Sequence, residues 1–330
     1  MSFNSYTLPT IDQLVSEFAF MRYSDCGGIK GVWRVDSPKP GPALGITIHT
    51  HGNEPSGLAT SWHFRRNFNL SDRLRRGSVL FVLNNLRAAE RYFSALEMIE
   101  GKEKEEVKRK ARFCDHNMNR LPENTFDLKA DTRYEIGRAQ ELRPIWGCFE
   151  TAFDIHSTLT ETAPMIIVCG GLQRDLIRGF PIKNIVTNID NVQVEKPAMN
   201  FYGEREQVRT LAIEAGSHEN SSSFECSIAC TTALLHNLDM IEGEKDTATR
   251  EYDEYFIDGS VLFPDQSFEM VKVFEMFEPI TEGQVLAHGK GTRIVADFNG
   301  HALMGRPPLK PDSIKEEVLF LSRPVKKITV

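Results

Sequence analysis

Seven short apolar runs recur through the first two thirds of the chain: "IKGVWRV", "ALGITIHT", "SVLFVLNN", "TAFDIHS", "PMIIVCG", "IKNIVTNI" and "RTLAIEAG". Each is only strand length and rich in β-branched or other apolar residues, and some, such as "SVLFVLNN" and "PMIIVCG", hold an unbroken apolar stretch. That is the pattern of strands buried on both faces. Between them lie "PSGLATSWHFRRNF", the charged stretch from 86 to 111, "TRYEIGRAQELRPIWG" and "LQRDLIRG", all of which read as helical. Strands alternating with helices predict an α/β fold, a parallel or mixed sheet with helices on both faces.

The totals agree with a globular protein and narrow its partners. A chain of 330 residues can bury a large core and is long enough for two domains of unequal size. A formal net charge of −7 argues against a nucleic-acid partner, because that binding relies on lysine and arginine displacing counterions from phosphates. No run approaches the roughly 20 apolar residues that span a bilayer, so no membrane partner is expected. The start, "MSFNSYTLPTIDQL", lacks the segments of a secretory signal, which makes the cytoplasm the expected location. Six cysteines without C-x-x-C spacing suit free thiols better than disulfides or a cysteine-zinc site. A homo-oligomer is left open.

"EGKEKEEVKRKAR" pairs Glu100 with Lys104, Glu105 with Arg109 and Glu106 with Lys110 at i, i+4, as on a solvated helix. In "SSSFECSIACTTALLHNL", Ser222 three before Glu225 suggests a capping box, followed by Phe224, Ile228, Leu235 and Leu238 at helical spacing. Beyond it helical periodicity disappears in favour of short strands and turns. The expected domains are residues 1–245 and a smaller β-rich unit, 246–330.

Chemistry concentrates where apolar runs end. In "GITIHTHGNEPSG" the strand is expected to stop near Gly52, with Pro55 at the first helical position. His51 and Glu54 then sit at a strand-to-helix junction, the region where open α/β sheets bind ligands. An H-x-x-E pair by itself is commonly just a polar turn. A second run, "FDIHST", also ends in a histidine, His156; two imidazoles and a carboxylate give zinc three protein ligands and leave a fourth position open. Asp154, two residues earlier, either orients a ring or faces the core. A third run, "TLAIEAG", ends in Glu214, a placement that costs free energy unless the carboxylate is paired, hydrogen-bonded or functional; general base for a zinc-activated water is the functional reading.

"HGNE", "DIHS" and "IEAG", in this order, together with "RFCDHNMNRLP" and "NNLRAAER", resemble the succinylglutamate desuccinylase/aspartoacylase family, a branch of the zinc carboxypeptidase fold. The resemblance spans roughly residues 44 to 240, and the β-rich tail suits the family's C-terminal domain. It implies one zinc ion per chain on His51, Glu54 and His156, with Glu214 as the acid/base. It further implies that Arg112 helps stabilise the oxyanion and that Asn119 and Arg120 grip a substrate carboxylate, as a guanidinium's planar fork allows.

Some features depart from the family pattern. Asn117 stands where the family usually has aspartate. About twenty residues, the charged helix near 91 to 110, are inserted beside the expected substrate pocket. A further arginine that the family places before its base has two candidates here, Arg205 and Arg209, neither at the expected offset. His49 is expected to share a strand face with His51 and to be packed. His116 and His218 flank Asn119 and Glu214 and are candidate substrate contacts, whereas His63, His236, His288 and His301 read as structural.

The leading expectation is therefore a zinc-dependent amidohydrolase acting on an N-acyl amino acid or similar carboxylate-bearing small molecule. A zinc carboxypeptidase trimming a peptide or cell-wall fragment is the nearest alternative. A non-catalytic binding protein on the same fold is the alternative from another class.

Overall fold

A computed structural model describes residues 6–98, 101–128, 132–202, 208–218, 220–305 and 317–330. Helix α1 (Ile11–Tyr23) is followed by a hairpin, β1 (Asp25–Cys26) and β2 (Ile29–Lys30), and by β3 (Val32–Asp36). Gly31, at φ +81°, breaks "IKGVWRV" into two strands. The chain continues through β4 (Ala43–Ile48), α2 (Ser56–Trp62), a π-helical turn (His63–Asn67), α3 (Leu70–Arg73), β5 (Ser78–Leu83), α4 (Leu86–Met98), α5 (Gly101–Lys110) and α6 (Tyr134–Trp146). Then come β6 (Thr151–Thr158), β7 (Met165–Val168), β8 (Asn184–Thr187), α7 (Ile189–Val192), β9 (Arg209–Ser217) and α8 (Ser221–Asn237). The remainder is strands: β10 (Glu251–Val261), β11 (Glu269–Met270), β12 (Glu278–Ile280), β13 (Val285–Gly289), β14 (Thr292–Val295), β15 (Gly300–Leu303), β16 (Leu319–Ser322) and β17 (Lys326–Thr329).

All seven apolar runs contribute a strand to one mixed sheet, with the order β3-β5-β4-β6-β9-β7-β8-β10 through its main part. The four central strands β5, β4, β6 and β9 are mutually parallel; β3 runs antiparallel to β5, and β7 runs antiparallel to β9 but parallel to β8. Burial on both faces explains the apolar run of β5, which is buried at every position; β6 is buried at all but its last. One face carries Leu44, Ile46, Phe81, Phe153 and Ile213 against α1, α2 and α8, and the other carries Leu80, Val82, Ala152 and Ala212 against α6 and Trp146. β10 runs through both parts of the chain. Its first half pairs with β8 and β17, and beyond a bulge after Ile257 its second half pairs with β16, carrying the sheet on to β15 and β12. A separate three-stranded sheet, β11-β13-β14, packs with these strands around its own core of Phe263, Phe268, Phe274 and Leu286.

Several local expectations are corrected. "LQRDLIRG" forms turns rather than a helix. Its buried residues, Leu176 and Ile177, are adjacent rather than three or four apart, and Gly179 takes φ +78°. The N-cap of α8 is Asn220, whose side chain accepts from the Ser222 N–H at 3.0 Å, so Ser222 lies inside the helix and closes no capping box. Glu106 and Lys110 pair as expected, but Glu105 meets Lys108 instead of Arg109. The pair Glu100–Lys104 lies outside the described residues. The charged insertion is a pair of helices, α4 and α5, rather than one.

Among the described residues no helix is long and apolar enough to cross a membrane. The six cysteines are free.

Helix α1 matters to the site because it braces α2, the helix that starts just after Glu54. The fully buried Glu17 of α1 accepts from Ser61 Oγ at 2.8 Å and from Arg65 Nε at 2.9 Å, and the Arg65 guanidinium lies over the Phe20 ring. Replacing Glu17 by Ala strands a largely buried guanidinium. We expect a loss of about 3–5 kcal/mol in chemical denaturation, while Arg65→Met/Glu17→Leu recovers most of it.

Candidate active site

The site forms where the parallel central strands end. β4 stops at Ile48, earlier than expected, and the chain turns sharply through His49, a non-glycine residue at φ +50°. This removes His49 from the strand. It is fully buried beside Phe93, donates from Nδ1 to the Gly52 carbonyl at 3.0 Å, and burial pulls its pKa down to about 4. Gly52 fits between the backbones of Ala88 and Ala111, where a Cβ would come within 2.4 Å of the Ala111 carbonyl oxygen, and its N–H donates to the Arg112 carbonyl at 2.9 Å. Pro55 sits one place earlier than expected, at the N-cap of α2.

This turn delivers His51 and Glu54 to His156, which β6 supplies from the adjacent parallel strand. Glu54 lies between the two imidazoles: Oε1 is 2.7 Å from His51 Nδ1 and Oε2 is 2.9 Å from His156 Nδ1. The ring centroids are 5.2 Å apart, all three side chains are buried, and their ligating atoms lie within 4.8 Å of one another. Arg112 Nη1 reaches Glu54 Oε1 at 3.2 Å, and the Ser157 N–H points at Oε2 from 3.4 Å.

Each imidazole is held from behind. His51 Nε2 donates to Asn117 Oδ1 at 3.0 Å, and His156 Nε2 to Asp154 Oδ2 at 3.1 Å. Asp154 also accepts from Thr50 Oγ1 at 3.0 Å, with the Tyr202 hydroxyl 3.3 Å away. With the far nitrogens facing Asn117 and Asp154, both Nδ1 atoms and the Glu54 carboxylate converge on one point. Such outer partners fix the tautomer and orientation of metal-binding histidines, and two imidazoles plus a carboxylate suit a divalent transition metal. The residues therefore fit a metal ion. Asp154 orients a ring, and Asn117 performs the same service for the other histidine.

The charges follow. Burial works to raise the pKa of Glu54, but the two imidazoles outweigh it and hold the carboxyl well below its ordinary value. Burial works to lower His156, but Asp154 and Glu54 carry it well above 6.5. His51, next to Arg112 as well as buried, falls to about 4.

Glu214 of β9 stands directly across from His156 in the parallel register. Burial is the main force that pushes its pKa up to about 8, with Glu54 and Asp154 adding to it and His156 and Arg112 opposing. Its buried Oε2 has no hydrogen-bond partner among the described residues. A carboxyl that holds its proton to near neutrality, beside a cluster of ligand atoms, can take up and return a proton under working conditions.

The loop 112–120 brings the remaining expected residues together, and Glu135 holds it. From the first turn of α6, its carboxylate accepts from the backbone N–H groups of Cys114, Asp115 and His116 at 2.6, 3.0 and 3.0 Å, and from Asn85 Nδ2 at 3.0 Å. Sequence reasoning missed this residue, whose only signal is an acid in a helix's first turn. Asn119 is half-buried, its Oδ1 accepting from the Ala198 N–H. Arg120 is only 4% exposed and its guanidinium is engaged within the protein, donating to Glu317 and to the Asn119 carbonyl. His116 lies against the Arg120 carbonyl and near Glu195, and His218 shares a hydrogen bond with Ser157. Arg209 pairs with Asp175 at 2.7 Å, and Arg205 lies outside the described residues.

The family model for the succinylglutamate desuccinylase/aspartoacylase catalytic domain matches residues 40–219, which contain every element of this site. The chain belongs to this family. Its members are deacylating hydrolases, and solved structures agree on the fold. Murine aminoacylase 3 is 19% identical with a TM-score of 0.61, the match covering 89% of this chain and 98% of that one. Succinylglutamate desuccinylase from Vibrio parahaemolyticus is 12% identical with a TM-score of 0.64, covering 88% of this chain and 85% of that one. A search of curated protein sequences gives no match.

Two outcomes are expected from this family member's site. Asp154→Asn leaves His156 without its charged partner, so the affinity for a divalent metal ion, measured by chelator competition, is expected to fall about 10–100-fold. In metal-free protein, Glu214 keeps its proton between pH 4.5 and about 8 while the unfolded chain has released it, so its contribution makes stability fall as pH rises through that window. Urea midpoints taken from pH 5 to 8 should decline more steeply for the wild type than for Glu214→Gln; equal slopes would contradict the raised pKa.

Proposed function

We propose that this chain is a zinc-dependent deacylase that hydrolyses the amide bond of an N-acyl amino acid or a similar carboxylate-bearing small molecule. The observation that carries the reading is the convergence of His51 Nδ1, His156 Nδ1 and the Glu54 carboxylate, backed by Asn117 and Asp154, beside a buried Glu214 oxygen with no hydrogen-bond partner among the described residues. Murine aminoacylase 3 and the Vibrio desuccinylase, by their names, act on acylated amino acids, which supports this substrate class.

His51, Glu54 and His156 would hold the zinc ion, which when bound supplies Lewis acidity and lowers the pKa of water from about 15.7 to roughly 7. Glu214 Oε2 accepts a proton from the attacking water and delivers it to the leaving nitrogen, a role that its raised pKa suits because both transfers occur near neutrality. Arg112, a third exposed and within reach of Glu54, donates to the substrate carbonyl oxygen as negative charge develops there. Asn119 and Arg120 would grip the substrate carboxylate; Asn119 is half-buried, and the Arg120 donors here face Glu317 and the Asn119 carbonyl, with which a substrate carboxylate would compete.

Glu214→Gln tests the reading. It keeps the shape and removes the proton acceptor, so turnover of an N-acyl amino acid is expected to fall by two orders of magnitude or more, with zinc content unchanged. Near-normal turnover would remove Glu214 from the role. Running N-acyl amino acids beside short peptides separates a deacylase from a carboxypeptidase, and cleavage of the peptides alone would overturn the substrate class.

A further inference from the structure

We propose that His218, in the turn that leaves β9, is a positioning residue for Glu214. It ties the chain just beyond Glu214 to the end of β6 just beyond His156, and so fixes where the Glu214 carboxyl stands. The catalytic consequence rests on the deacylase reading above, whereas the tie itself rests on strand register and hydrogen bonds.

β6 and β9 keep a regular parallel register from Thr151 opposite Arg209 to His156 opposite Glu214, and there the register slips: the next pair is Thr158 opposite Ser217. β9 thus carries one residue more than β6 directly after Glu214. Such a bulge disrupts the ladder, bends the strand and re-aims the side chains beside it. Gly216 takes φ +113° within it, a conformation that L side chains rarely adopt. On its other edge β9 pairs with antiparallel β7, and that pairing runs from Ile167 opposite Ala212 to Met165 opposite Glu214. Past Glu214, then, the strand depends on its connection to β6. The buried Glu214 Oε2 has no hydrogen-bond partner among the described residues, so the backbone decides where it points.

His218 makes that connection twice. Its backbone N–H donates to the Thr158 carbonyl at 2.9 Å, and its half-buried ring shares a 2.9 Å hydrogen bond between Nδ1 and the Ser157 hydroxyl. Ser157 is buried, follows His156 directly, and aims its own N–H at Glu54 Oε2 from 3.4 Å. The imidazole therefore grips the one residue of β6 that lies between the bulge and the two ligands His156 and Glu54. Beyond His218 the Asn220 N–H donates to the Ser217 carbonyl at 3.2 Å, and the Asn220 side chain caps α8, which anchors the turn at its other end. Without the side-chain bond to Ser157, the bulge is held to β6 by one backbone hydrogen bond next to an unpaired residue. A shift of about 1 Å in a reacting group can cost about 100-fold in rate, so the looser bulge is felt in turnover although His218 touches no reacting atom.

The test uses the full-length protein with His218→Ala, Ser157→Ala, the double variant Ser157→Ala/His218→Ala, and His218→Asn, whose amide places a hydrogen-bonding atom near the position of Nδ1. Each is measured for kcat and KM with an N-acyl amino acid, for bound zinc, and, in the metal-free state, for backbone amide exchange at Gly216 and His218. In His218→Ala we expect kcat to fall about tenfold or more, with KM within about twofold and zinc content unchanged. His218→Asn should recover most of the lost turnover, the double variant should be no worse than the poorer single one because both remove the same bond, and the two amides should exchange faster in both alanine variants. Should His218→Ala fail to fold, Ser157→Ala and His218→Asn carry the same comparison. Unchanged kcat and exchange in the alanine variants, or losses that multiply in the double variant, would overturn the proposal. So would a tenfold rise in KM at constant kcat in His218→Ala, which would make His218 a substrate contact. A wild type that binds no zinc and turns over no N-acyl amino acid would reject the deacylase reading instead, and the exchange rates would still decide whether His218 holds the bulge.

Discussion

The Glu54 carboxylate between two imidazoles is the interaction on which the rest of the site depends. A buried carboxylate is costly unless its charge is met. Here His51 and His156 meet it directly, Arg112 meets it from the open side, and Asn117 and Asp154 hold the rings at the correct angle. A divalent cation bound among the same atoms would take over that compensation. Much of the surrounding structure serves to hold this arrangement: the left-handed turn at His49, the close approach of Gly52 to Ala88 and Ala111, and the bracing of α2 by Glu17.

The sheet topology explains why residues so far apart in sequence can meet. β4, β6 and β9 are parallel neighbours, so their carboxyl-terminal ends lie side by side and His51, His156 and Glu214 arrive from consecutive strands. Parallel strands need long crossovers, and the crossover between β5 and β6 carries the 112–120 loop back across the same end. Glu135, at the N-terminal end of the last helix in that crossover, binds three successive amides of the loop, where the helix dipole also favours a carboxylate. The site is therefore a property of strand order.

The three expected metal ligands come together because each lies at the end of an apolar run, and a polar residue in that position stands out against its neighbours. Glu214 was legible for the same reason. The contacts of Glu135 and Asn117 were not, since each looks in sequence like an ordinary polar residue on a helix or loop and acquires its partners only through contacts with distant segments. Nor does anything near Arg120 in sequence foretell its buried ion pair with Glu317 of the C-terminal part.

The sequence by itself determined the α/β class, the seven strands, the family, and the residues that end the central strands, because hydrophobic periodicity and the chemistry of strand ends are local properties. The tertiary structure decided which polar groups share a hydrogen bond, which arginine faces the open side of the site and which is buried, where helices begin, and how β10 joins the main sheet to the C-terminal strands. Those outcomes follow from long-range packing: a buried polar group must find a partner somewhere in the fold, and nothing in its own segment specifies where.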